Sequence, residues 1–166
     1  LVDLQTELTV AGGVIGGLCS RQADLSDESA TSYTFTTSLA QHSQSGVILI
    51  EGHDALAPIA ELASSQSETS TSPASPALAA VPDSRSLVLR YACLDGGRIT
   101  EDVGYPAGMA TDLWLLETAD GGSGPVSGGA SIDVPTASGP AEWTNVLSVA
   151  RQGVTFSVSI GADAGS

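Results

Sequence analysis

The chain has 166 residues, 42% of them hydrophobic, which is long enough for one domain with a real core and too apolar for a disordered chain. It carries 19 acidic residues against 5 basic ones, for a formal net charge of -14, and it has no lysine. A surface this negative excludes a phosphate-binding face for nucleic acid and repels anionic lipid, while favouring solubility and weak cation binding.

The five cations are Arg21, Arg85, Arg90, Arg98 and Arg151. Charged residues make up only 14% and aromatics 4%, so the surface must be built from Ser, Thr, Gly and Ala. The core must come from Val, Leu, Ile and Ala. No stretch is long and apolar enough to span a membrane as a helix. Val10–Leu18 comes nearest, but it is short, glycine-rich and lacks the basic flank of a signal peptide. The chain opens on Leu1 and not on Met, which reads as a processed or trimmed start and points to export or proteolytic maturation.

In an exported chain, Cys19 and Cys93 are expected to form one disulfide. It would close a loop of roughly 75 residues and contribute about 4 kcal/mol through loop-closure entropy. The alternative is two buried free thiols. Their separation excludes a CxxC redox or zinc motif.

In chain order, Leu1, Leu4 and Leu8 have helical spacing, whereas Thr6, Thr9 and Val10 lean towards strand. Gly12, Gly13, Gly16 and Gly17 bracket Val14 and Ile15, predicting a flexible apolar turn. The segment has neither GxGxxG nor a following Gly-Lys-Ser/Thr, so it is not a phosphate loop. Asp24–Ala30 reads as a polar loop. Tyr33–Ser38 alternates as a strand, and Val47–Ile50 reads as a strand buried on both faces. Asp54–Ala63 is the best helix, with Asp54 as N-cap, Pro58 in the first turn, and Leu56, Ile59 and Leu62 on one face. Ser64–Pro82 is low-complexity Ser, Thr, Ala and Pro, predicting an extended arm or linker open to O-glycosylation in an exported protein.

From Leu87 onward the pattern is β. Leu87, Leu89, Tyr91 and Cys93 share one face, and Val88, Arg90 and Ala92 the other. Asp95-Gly96-Gly97 predicts a turn into a strand over Arg98–Asp102. Strands are expected at Leu113–Thr118 and Ala130–Val134, with a glycine-rich loop over Gly121–Gly129. Trp143–Arg151 and Val154–Ile160 predict a hairpin turning at Gln152-Gly153, with Phe156 in the core. The whole reads as a single β-rich domain over 1–166. It is expected to be mainly β: an antiparallel β-sandwich or barrel of seven or eight strands with one short helix and the Ser/Thr/Pro arm.

Chemistry-bearing motifs are sparse. No serine sits in a GxSxG elbow, and the histidines are His42 and His53 alone. Asp54 beside His53 in sequence does not orient the imidazole, because chain neighbours point apart. Acids concentrate at turns: Asp95, Glu101, Asp102, Asp112 and Asp120. Of these, Asp95, Glu101, Asp102 and Asp120 are weak calcium candidates, since hard cations take oxygen ligands from such loops. The alternative is solvated turn acids, and no other cofactor is implied. Trp114 and Trp143 read as core, and Tyr105 as the exposed aromatic.

The expectation is a non-catalytic structural or assembly protein of an extracellular particle or envelope. It would be a virion decoration or surface subunit, or a cell-surface component. Its partners would be copies of itself or other subunits, with no nucleic acid and no membrane insertion. The alternative is an extracytoplasmic ligand-binding or sensor module of a bacterial envelope protein. An enzyme ranks third.

Overall fold

The computed structural model describes residues 5–11, 14–20, 30, 32–34, 36, 44–54, 56–80, 83–96, 104–117, 126–144, 146–147 and 149–162. Nine strands form among them: β1 (Gln5–Ala11), β2 (Val14–Ser20), β3 (Ile59–Ser70), β4 (Ala74–Ser75), β5 (Leu87–Asp95), β6 (Thr111–Glu117), β7 (Val126–Asp133), β8 (Ala141–Glu142) and β9 (Arg151–Ile160). The fold is mainly β and its strands pair antiparallel. A five-stranded sheet in the order β3-β9-β5-β7-β6 is the frame. Among the described residues it stays open, with β3 and β6 as its edges, and does not close into a barrel.

The C-terminal strand β9 lies at the heart of this sheet, between β3 and β5. Phe156 sits opposite Ser64 on one side and Tyr91 on the other. Period-two alternation gives β9 and β5 two distinct faces. On the first, Val14 of β2 packs with Val154 and Phe156, joined by Leu62, Tyr91 and Cys93. The β1–β2 hairpin therefore covers this face. Its approach is close at Gly16, where a Cβ would stand 3.0 Å from Phe156 and Val154. On the second face, Ala92, Leu94 and Leu115 pack with Trp143, Val146 and Leu147. Gly129 of β7 faces that cluster, and a Cβ there would meet Trp143 at 2.8 Å and Leu115 at 2.5 Å.

The structure corrects several sequence expectations. No helix is found among the described residues. Asp54 does act as a cap, its Oδ1 accepting the Leu56 and Ala57 N–H groups at 2.8 and 3.3 Å. The turn stops at Pro58, and the chain enters β3 at Ile59 because Ile59, Leu62 and Ala63 find partners along β9. Ser64–Ser70 is likewise strand, and Ser75 is buried in β4, so Ser64–Ala80 is built into the fold and is not a free arm. Low complexity did not mean low order, because hydroxyls can be buried when each finds a partner.

Val47–Ile50 forms no strand, and Val47 and Leu49 are exposed where burial on both faces was expected. Val14–Ser20 is strand and not a flexible turn, its glycines allowing the close contact just described. The expected final hairpin is absent. Trp143, Val146 and Leu147 lie outside strands, capping the core, and β9 pairs with β3 and β5 instead. Gly96 has the positive φ expected of the turn after β5, whereas the strand expected over Arg98–Asp102 falls outside the described residues. Of the strand expected over Tyr33–Ser38, residues 33, 34 and 36 lie outside any strand, and 35, 37 and 38 fall outside the described residues.

Cys19 and Cys93 form no disulfide. Alternation along β2 turns Val14 and Gly16 to the sheet and leaves Ile15, Gly17 and Cys19 exposed. Cys93 packs on the inner side of the same hairpin. The two side chains therefore belong to different layers.

Candidate functional site

The densest polar cluster lies on the second face of the sheet, around Arg90. The strand period that placed Arg90 opposite Tyr91 sends its guanidinium inward, where it is fully buried (0% exposed). Arg90 Nε donates to Asp133 Oδ2 at 2.9 Å, and Nη2 lies 2.9 Å from the same oxygen. Nη1 donates to Ser157 Oγ at 2.6 Å and to the Pro76 carbonyl at 3.0 Å. Nη2 also donates to the carbonyls of Gly139 and Ala137. Every guanidinium nitrogen is thus engaged, as a buried charge requires.

The partners are committed as well. Asp133 Oδ1 accepts the Val134 N–H at 2.8 Å. Ser157 Oγ donates to the Pro76 carbonyl and is fully buried. Neighbouring hydroxyls repeat the arrangement: Thr155 Oγ1 donates to the Ala74 carbonyl at 2.7 Å, and Trp143 Nε1 donates to Ser75 Oγ at 2.9 Å. Chemically, this cluster fastens β4 and the 137–139 loop to the sheet.

Two surface clefts flank it. One, of about 260 Å³, lies at the end of the sheet among Glu61, Asp83, Arg85, Ser86 and Ser159. Glu61 accepts the backbone N–H groups of Ala79 and Ala80, one on each carboxylate oxygen. Asp83 accepts the Arg85 N–H at 2.8 Å and lies 3.5 Å from its Nε. That N–H, with the nearby guanidinium, holds the Asp83 carboxyl below its ordinary value. The other cleft, of about 310 Å³, is bounded by Pro106, Met109, Asp133, Pro140, Glu142 and Thr144. Both are shallow.

Of the calcium candidates, Asp95 ends β5 and is half-buried, while Glu101, Asp102 and Asp120 fall outside the described residues. Among the described residues, no three His, Cys, Asp or Glu side chains gather in a metal-binding group. Asp112 is exposed on β6. His53 Nδ1 lies 3.1 Å from the Asp54 carbonyl, beside the bridge from His53 to Ala162, while His42 falls outside the described residues. Trp143 is core as expected; Trp114 is half-buried, edge-on to Tyr91 with ring centroids 6.4 Å apart. Tyr105 is not the free aromatic expected, because it packs on Trp143 at 6.1 Å.

Sequence reading missed the Arg90–Asp133–Ser157 cluster. The available signal was an arginine at an interior position of an otherwise apolar strand, in a chain with few cations. The chain matches no family model, and searches of curated proteins and of solved structures gave no match.

Proposed function

We propose that this chain is a non-catalytic structural or assembly subunit of an extracellular particle or envelope, such as a virion decoration or surface subunit or a cell-surface component. One observation carries the reading. The polar side chains the fold gathers are spent on the chain's own backbone: Arg90 on three carbonyls, Glu61 on two N–H groups, Asp54 on the 56–57 turn. Such a network rigidifies loops around a sheet, as a repeating subunit needs. The layering of the β1–β2 hairpin and the β4–β8 pair on the open sheet supports reading the architecture as an open sandwich. The arm expected over Ser64–Pro82 lends this reading no support, since Ser64–Ala80 is bound within its own chain.

The second reading is an extracytoplasmic ligand-binding or sensor module, and the two clefts favour it. Native mass separates the two. An assembly subunit forms a defined oligomer or array; a monomer under every condition moves the sensor module to first place. Copies carrying -14 each repel, so assembly needs screening or bridging cations. With calcium bridging turn acids, chelator dissolves the assembly, and the Asp95→Asn, Asp102→Asn double variant loses that sensitivity. An assembly indifferent to chelator retains the structural reading and removes calcium from it.

A further inference from the structure

We propose that residues 46–50 form a self-pairing edge through which two copies of this chain join. The inference rests on the assembly reading and gives it a surface. From Ser29 to Ile50 the chain has no Asp, Glu, Lys or Arg, the longest such stretch in a sequence of 19 acids. Within it, residues 44–50 lie outside every strand, and among the described residues no backbone hydrogen bond engages 45–50. The segment is held down at one end, where a Cβ on Gly46 would meet the Trp114 ring at 2.5 Å, and at the other by the His53–Ala162 bridge. Between these anchors, exposure alternates with period two. Ile48 and Ile50 are half-buried, while Val47 is 44% and Leu49 69% exposed.

An uncharged Val-Ile-Leu-Ile run with one exposed face, whose backbone has no partner among the described residues, is a template for strand addition. Its sequence suits a second copy. Antiparallel pairing about a two-fold axis at Ile48 sets Val47 opposite Leu49 of the second copy, and Leu49 opposite Val47. Ser45 then faces Glu51, and Gly46 faces Ile50, so no acid faces an acid. Two-fold pairing closes after one partner and uses up the edge. For a chain of net charge -14, pairing through the uncharged residues 46–50 keeps acids from facing one another across the seam.

Sedimentation equilibrium of the whole chain across concentration tests this, with wild type beside a Val47→Asp, Leu49→Asp variant. The variant sets acids across the two-fold axis and should weaken self-association by at least about tenfold. Mixing it with a Val47→Arg, Leu49→Arg variant should restore pairing. Both positions are solvent-exposed, and an unchanged β circular-dichroism spectrum certifies the fold; should the Asp variant unfold, Val47→Ser, Leu49→Ser carries the same comparison. Association of the variant at wild-type strength overturns this surface and leaves the assembly reading standing. A wild type that stays monomeric at every concentration and salt overturns both.

Discussion

Arg90 and Asp133 form an ion pair that the fold cannot lose by halves. Both are buried, and Arg90 also satisfies three carbonyls and Ser157. Arg90→Met leaves Asp133 charged and uncompensated, an expected loss of about 3–5 kcal/mol in urea unfolding. Arg90→Lys should recover little of it, since a single ammonium cannot replace the planar fork. Gly129→Ala is a steric test at the same scale. The added Cβ meets the rigid Trp143 ring at 2.8 Å, and overpacking of this kind costs about 1–3 kcal/mol. The buried titrating groups predict alkaline behaviour. Burial pushes the Cys93 thiol up to about 11 and the Tyr91 phenol up to about 12. Their ordinary values are 9.0 and 10.0. Because folding favours the neutral forms, this contribution is complete below about pH 9. It is lost as pH rises from there to about 12, on the order of 1–3 kcal/mol per group. Unfolding followed across that range should show the decline, and Cys93→Ala should blunt its first part. Native protein at pH 8 should expose one rapidly reacting thiol, Cys19, while the denatured, unreduced protein yields two.

Among the elements, β9 matters most. Its neighbours on both sides are strands, and residues 153–159 are buried throughout. Phe156→Ala should therefore cost about 3–5 kcal/mol, read from the shift in the denaturant midpoint. The two faces of β5 and the burial of Phe156 were legible in sequence, because period-two alternation is a local signal. Partner choice was not. Gln152-Gly153 looked like a hairpin turn, yet Gly153 sits inside β9, opposite Leu94 and Ser67, where a Cβ would stand 2.9 Å from Leu94. Asp54 was read correctly as a cap and wrongly as the start of a helix. Leu56, Ile59 and Leu62 do have helical spacing, but Leu56 is 93% exposed, and the other two belong to a strand. Long-range pairing with β9 overrode local propensity. The Arg90 cluster was illegible for a related reason: its members span residues 76 to 157, and only the sheet register brings them together.

Across the whole molecule, charge and cohesion oppose each other. The chain holds 19 acids, and among the described residues Arg90 is paired with Asp133 and Arg85 with Asp83. Any association between copies therefore works against net repulsion and, without bridging cations, is favoured at uncharged surface. Repulsion of this kind is screened by salt, whose Debye length falls from about 30 Å at 0.01 M to about 3 Å at 1 M. The most direct measurement is the self-association constant of the wild-type chain over that range, taken by sedimentation equilibrium with chelator present so that screening alone is read. The account predicts association that strengthens as salt rises. A chain that remains monomeric throughout, or one whose association weakens with salt as an ion-paired interface would, contradicts it.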